Sequence, residues 1–307
     1  LLNPTQTSLS VSASSMGNAR EVSLKTPINA STSLLGSIRE ASNGKSGDGT
    51  PLNTSFEQST FYVRNKSYVN DTEVSTEVLV SDGNDIGKSS ALFPNTRVTH
   101  YPHDNHRLLN FRATTPNNWF LQTYAHQQDW ASMTLRDSGL ENTSDYSSMT
   151  IGGLLSRTLQ SDQSTQRYGL DVTRRYGVDI TETTAEPEAE IASRNVINDG
   201  TEWTAGLFWE RSWYLNGLSL QGGFRADRAE AQVASIATSH SNINLQLKAN
   251  WQLTSVWDLT IELGSAYRLP TLSELYFEGE TPRGRLLGNN ALQSEETVGA
   301  QLTLLYD

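Results

Sequence analysis

A chain of 307 residues, 36% of them hydrophobic, is long enough for one to three domains. No stretch approaches the 18 or so uninterrupted apolar residues of a membrane helix, which excludes a helical membrane protein. The formal charge of −11, with no Lys/Arg cluster to offset it, argues against nucleic acid as a partner, and the absence of cysteine removes any disulfide framework, thiolate metal site or cysteine nucleophile.

The N-terminal LLNPTQTSLSVSAS has neither a basic n-region nor an apolar h-region, and the chain ends abruptly on LTLLYD. Both ends read as those of a fragment. Two β-like runs, 7–15 and 20–27, flank a tight connection at 16–19, and 31–41 adds a third. Residues 42–55, rich in Gly, Ser, Asn, Asp and Pro, form a loop. The runs 56–67 and 72–81 make the next pair, with Asn70 and Asp71 at the turn. A long irregular segment is expected over 81–105. Then 108–114 runs back to the turn at 116–118, and 118–133 goes out again. A polar loop at 137–146, strands over 148–159 and 166–181 around a turn at 161–164, and a loop over 183–199 follow. Residues 201–214 form a strand, and Asn216-Gly217 is the strongest two-residue hairpin signal in the chain.

The C-terminal part alternates most clearly. Ile243, Leu245, Leu247, Ala249, Trp251 and Leu253 take turns with Asn244, Gln246, Lys248, Asn250 and Gln252. Leu259, Ile261 and Leu263 continue the rule after a turn at 254–257, and so do Val298, Ala300, Leu302, Leu304 and Tyr306 after a longer loop. By alternation Arg225, Asp227, Lys248 and Glu262 lie on polar faces. About fourteen strands emerge, many far longer than the five or six residues usual in globular proteins. Long two-faced strands with short turns on one side and long polar loops on the other are the pattern of an antiparallel transmembrane β-barrel in the lipid bilayer, an all-β fold. Trp119, Trp130, Trp203, Trp209, Trp213, Trp251 and Trp257 fall mostly near strand ends, where an interfacial girdle would lie. A soluble multi-strand β-protein is the alternative.

The run Tyr267-Arg268-Leu269-Pro270-Thr271-Leu272-Ser273-Glu274-Leu275-Tyr276 resembles the FRAPTLxELY box of TonB-dependent outer-membrane receptors. GNNALQSEE, with Gly288, Asn289, Leu292 and Glu295, is similar to the GNPxLKPE box that follows it in that family. The sequence departs from the pattern at Tyr267, Leu269, Asn290, Gln293 and Ser294. The resemblance implies a monomeric barrel of 22 strands, of which about fourteen are visible over 1–307, with a plug domain and TonB box that this chain does not display. It implies a bacterial outer-membrane receptor for a scarce metal chelate, most of all a ferric siderophore, energised by the TonB complex, with cobalamin, zinc or haem as other cargoes. A passive porin or adhesin-like barrel is the reading outside the family. Loops 42–55, 81–105, 137–146, 183–199 and 270–293 become extracellular. Arg268 and Glu274 are expected to play a structural part at the strand end.

No enzyme is expected and no cofactor, because no HExxH, GxSxG or phosphate-loop spacing occurs. Four residues packed into THYPHDNH, His100, His103, Asp104 and His106, are candidates for binding a metal or a metal complex, against the alternative of a solvated loop. Arg283 and Arg285 are candidates for an anionic chelate, because guanidinium offers a forked donor pair. The acidic groups Asp82 and Asp85, and Glu186, Glu188 and Glu190, lack the spacing of a calcium loop. No histidine falls within 271–287, where haem-uptake members carry one, which disfavours haem.

Overall fold

The computed structural model describes residues 6–89, 96–188, 190–281 and 284–306. Fourteen strands form one antiparallel sheet in which each strand pairs with its sequence neighbour. They are β1 (Ser8–Ala13), β2 (Arg20–Pro27), β3 (Thr32–Ala41), β4 (Phe56–Val69), β5 (Thr72–Lys88), β6 (Arg97–Thr114), β7 (Trp119–Arg136), β8 (Glu141–Ser161), β9 (Ser164–Ala185), β10 (Ala192–Leu215), β11 (Leu218–Val233), β12 (Ile236–Gln252), β13 (Trp257–Arg268) and, after an excursion, β16 (Glu295–Tyr306). The excursion holds a five-residue helix α1 (Leu272–Tyr276) and a small hairpin of β14 (Glu278–Thr281) with β15 (Gly284–Leu287). β1 and β16 are the edges of the sheet.

Because successive side chains point to opposite faces, the register sorts the residues into two surfaces. One carries Ile243, Leu245, Leu247, Ile261, Leu263, Val298 and Leu302, each a large apolar side chain at least 41% exposed. Such a continuous bare face would be unstable in water, and it is what hydrocarbon requires. The other carries Lys248 against Glu262, an ion pair across β12 and β13. It also carries Arg225 between Asp171 at 2.7 Å and Asp227 at 2.6 Å. The polar-face placement of these residues expected from alternation holds. We call this the inner face. Gly206 lies between Asp171 and Asp227 in register, and a Cβ there would run into the Arg225 guanidinium, so a glycine makes room for the ion triad.

Three of the expected loops are largely strand. The irregular segment 81–105 belongs to β5 as far as Lys88 and to β6 from Arg97, the loop 137–146 shrinks to the link between Arg136 and Glu141, and 183–199 to the link between Ala185 and Ala192. Beyond the bilayer both faces meet water, so apolar alternation lapses while the backbone ladder continues. Local irregularities hide it further. Asp85, Gly177 and Asp199 have positive φ, and the register slips between His100 and Asp104 and between Ser147 and Met149. Residues 42–55 stay outside the strands, as expected, apart from an isolated bridge between Lys45 and Pro51. Trp119, Trp213, Trp251 and Trp257 lie at the short-turn strand ends expected of a girdle, whereas Trp203 and Trp209 lie inside β10. Trp130 instead lies within β7, where its ring stacks on Tyr146 at 4.1 Å between centroids.

Candidate functional site

The excursion between β13 and β16 is anchored from the sequence upward. Thr271 caps α1: its hydroxyl accepts from the Glu274 amide at 3.2 Å, and the Glu274 carboxylate accepts from the Thr271 amide at 2.8 Å. One apolar edge of α1, Leu272 and Leu275, with Phe277 just after it, packs against Val178, Ile180, Ile197 and Ala231 of β9, β10 and β11. The Tyr276 hydroxyl reaches Ala231 O at 3.0 Å and Thr238 Oγ1 at 2.9 Å. Pro270 is buried just ahead of the helix start, and Tyr267 precedes Arg268, the last residue of β13. Arg268 then grips Glu274 at 2.8 Å and Glu295 at 2.6 Å. This joins the two sequence boxes. The Arg268 guanidinium, with the Thr271 amide second, holds the Glu274 carboxyl down to about 2. Gly288 donates to Phe277 O at 2.6 Å, and a Cβ there would press on the Leu275 backbone, so the second box needs glycine at that point. Asn289 donates to Glu274 O at 2.9 Å, and Leu292 donates to Asn289 O at 3.2 Å. Arg268 and Glu274 thus tie the end of β13 to α1.

Arg285 pairs with Glu278 at 2.8 Å inside the small hairpin, so its charge is already matched. Arg283 lies outside the described residues. Arg194 holds the hairpin from the sheet side, donating to Glu182 at 2.7 Å and to Glu278 O at 2.6 Å.

The histidine motif is divided by the sheet. A spacing of four would put His100 and Asp104 on one face of a regular strand, but the register slip between them puts them on opposite faces. His100 lies beside Asn53, Glu57 and Asp85 at the edge of the 42–55 loop. His103 contacts Asp129 at 3.0 Å on the outer side. Asp104 and His106 share the inner face, at 3.0 Å from each other. Among the described residues no group of three or more His, Cys, Asp or Glu is arranged to hold a metal ion. The four-residue metal set of the sequence is therefore not one site. In its place stands a contact the motif does not contain, His106 Nδ1 to His126 Nε2 at 3.0 Å, with the rings nearly parallel and 5.2 Å apart. His126 sits alone in LQTYAHQQDW, and only the β6–β7 register brings it to His106. The turn at 116–118 was the one sequence signal from which that register follows.

A family model described as TonB dependent receptor-like, beta-barrel, matches residues 36–307. No curated protein matches the sequence. Among solved structures, the copper transporter OprC superposes with a TM-score of 0.79 at 18% identity, over 98% of this chain and 50% of that one. A double mutant of the Serratia marcescens hemophore receptor HasR, in complex with its hemophore HasA and heme, gives 0.71 at 13% identity over 99% and 52%. The siderophore receptor PiuA from Acinetobacter baumannii gives 0.66 at 10% identity over 97% and 54%. The chain thus spans about half the length of these structures, and at such identities they speak for the fold alone.

Proposed function

The chain belongs to the TonB-dependent receptor family, as part of its β-barrel, and on that premise we propose that the protein imports a scarce metal complex across the outer membrane, energised through TonB. The family is one of transport receptors of the Gram-negative outer membrane, not of enzymes. The observation that carries the proposal is the division of the sheet into a bare apolar face and a charged, largely ion-paired face. That is a wall between hydrocarbon and an aqueous or protein-filled interior. The plug and TonB box belong to the remainder of such a receptor, which would act as a single copy.

A ferric siderophore is the first cargo to test, with cobalamin, zinc and haem beside it. Neither loop arginine of the sequence analysis adds to the siderophore reading, Arg285 being paired with Glu278 and Arg283 lying outside the described residues. One observation favours a second cargo class, a divalent copper or zinc complex: the His106–His126 contact on the inner face. Growth of a deletion strain under metal limitation on a panel of siderophores, haem, cobalamin, copper and zinc tests the proposal. Loss of growth or uptake on one nutrient names the cargo. Equal uptake of all of them by the deletion strain and its parent would remove the transport reading.

A further inference from the structure

We propose that His106 and His126 form a two-imidazole docking pair for a divalent transition-metal ion of the copper(II) or zinc kind, delivered as a complex with exchangeable coordination positions. The inference rests on the reading of the protein as an importer of metal complexes, and it names the class of metal.

The separation of the two nitrogens is that of a chelating pair, and a small turn of the rings would converge them on one ion. Imidazole nitrogens bind zinc at about 2.0–2.1 Å, so two of them at tetrahedral or square angles stand about 2.9–3.4 Å apart. His106 Nδ1 and His126 Nε2 stand 3.0 Å apart. Asp104 fixes which nitrogen is free. Its carboxylate lies 3.0 Å from His106 Nε2, which places the ring proton there and leaves the Nδ1 lone pair facing His126. A carboxylate on the far nitrogen of a metal-binding histidine is a recurrent outer-shell device that orients the ring and raises its basicity. In the empty pair His126 Nε2–H donates to that lone pair, and a cation at about 2.0–2.1 Å from both nitrogens displaces this proton and sits to one side of the line between them.

Charge and access agree with this. Among the described residues, the only charged side chain in contact with the pair is the Asp104 carboxylate, which favours a dication. Arg107, next in the chain, is turned away and pairs with Asp82. Arg175, which bears on His126 electrostatically, has Glu202 of β10 as its partner in register. The His106 side chain is 29% exposed, so an incoming complex can reach it. Both histidines sit at the middle of 18-residue strands, on rigid backbone rather than on a loop. Among the described residues the pair supplies two protein ligands. A closed four-ligand site holds its metal permanently, whereas two imidazoles leave positions for the ligands the metal arrives with and let it depart. A chelate that fills every coordination position offers nothing to imidazole, and the metals that imidazole suits include copper and zinc.

The test uses the full-length receptor in detergent, with copper(II) and zinc salts as probes in competition with a chelator, and electron paramagnetic resonance of the bound copper. Wild-type protein is expected to bind one equivalent with two imidazole nitrogens in the copper spectrum. His126→Ala should weaken binding at least tenfold and remove one nitrogen from the spectrum. Asp104→Asn should weaken it by about tenfold through the outer shell. His240→Ala, a histidine remote in the sheet register, should stay within twofold of wild type. Heat-modifiable gel migration reports correct folding, and His106→Gln replaces His126→Ala if the latter does not fold. Unchanged affinity and spectrum in the folded His126 or His106 variant would overturn the proposal, as would a wild-type spectrum with no paired nitrogens. Uptake by cells separates the two readings. Copper binding by the pair without import of any metal complex would retain the pair and sink the transport function. Import of copper or zinc indifferent to both histidines would retain the function and sink the pair.

Discussion

Arg268, the last residue of β13, donates two hydrogen bonds of 2.9 and 2.6 Å to Glu295, the first residue of β16, and the two stand directly opposite each other in the sheet register. The same guanidinium reaches Glu274 of α1. A single planar donor fork therefore closes the base of the 269–294 excursion and ties its helix to that base. This gives a physical reason for an Arg in one sequence box and Glu residues in both: a lysine ammonium cannot span two carboxylates in this bidentate way.

Replacing Arg268 should loosen the excursion and leave the sheet intact. The three side chains are well exposed, so water takes over much of their hydration when the clamp is removed. Arg268→Ala is expected to keep the unfolding transition of the barrel nearly unchanged while sites within 269–294 become several-fold more sensitive to protease. Arg268→Lys should fall between. Equal protease sensitivity in all three proteins would mean that the apolar anchor alone holds the loop.

The clamp has a pH dependence whose direction follows from Glu274. Its carboxyl is lowered from 4.5 to about 2, first by Arg268 and next by the Thr271 amide. A group depressed on folding stabilises the folded arrangement above its unfolded value and loses that contribution as pH falls toward the folded value. Amide exchange in α1 should thus be insensitive to this group above about pH 4.5 and quicken between about pH 4.5 and 2. Glu274→Gln should exchange faster at neutral pH and lose that acid-dependent step. An acid step that persists in Glu274→Gln would assign it to another carboxylate.

Leu275 is the deepest side chain of α1, 2% exposed in the cluster with Val178, Ile180 and Ile197. Truncating a buried leucine removes transfer free energy and leaves a cavity, typically about 2–5 kcal/mol. Because the helix is only five residues long it cannot persist undocked. Leu275→Ala should lower the local opening free energy of 272–277 by about 2–3 kcal/mol, read by hydrogen exchange. Exchange in β12, outside the cluster, should stay as it was.

The strands were legible where lipid writes on them. Ile243 to Trp251 alternate because every second residue faces hydrocarbon, and the short turns at Asn70, Pro116 and Asn216 carry their own turn chemistry. His100 to Asn105 lie where both faces are wet, and the register slip shifts the phase by one residue, so the segment reads as a loop. The candidate site failed for a related reason. Local spacing grouped His100, His103, Asp104 and His106, whereas a sheet groups residues by register across strands. His126 is twenty positions from His106 in sequence, and no local motif records their contact.

Glycine and tyrosine interlock on the inner face. Gly152 of β8 pairs with Tyr124 of β7, and a Cβ at Gly152 would overlap the Tyr124 ring, which lies flat over the bare backbone. Gly152→Val should force the ring off and cost about 1–3 kcal/mol by overpacking. In the double variant with Tyr124→Ala the valine finds space, so the two losses should sum to more than the double variant shows. Denaturant unfolding of protein refolded in micelles measures all three. Strict additivity would mean that the ring and the glycine are not coupled.

The assignment of the two faces is itself open to a direct measurement. Leu247 of β12 is 51% exposed on the apolar surface, between Gly222 and Leu263 in register, while its neighbour Gln246 points the other way, between Gly223 and Gly264. An arginine on the lipid side of a barrel near the midplane costs about 2–4 kcal/mol, falling toward the interfaces, whereas an interior arginine remains solvated or finds a partner. Leu247→Arg should therefore destabilise the receptor refolded into lipid vesicles by about 2–4 kcal/mol, and Gln246→Arg by less than about 1 kcal/mol. In a micelle, whose detergent can rearrange around a charge, the gap should narrow. The reverse order, with Gln246→Arg the costlier change, would turn the sheet inside out, taking the ion-paired residues and the His106–His126 pair to the lipid side. Comparable small losses at both positions in vesicles would argue that this part of β12 lies clear of the hydrocarbon.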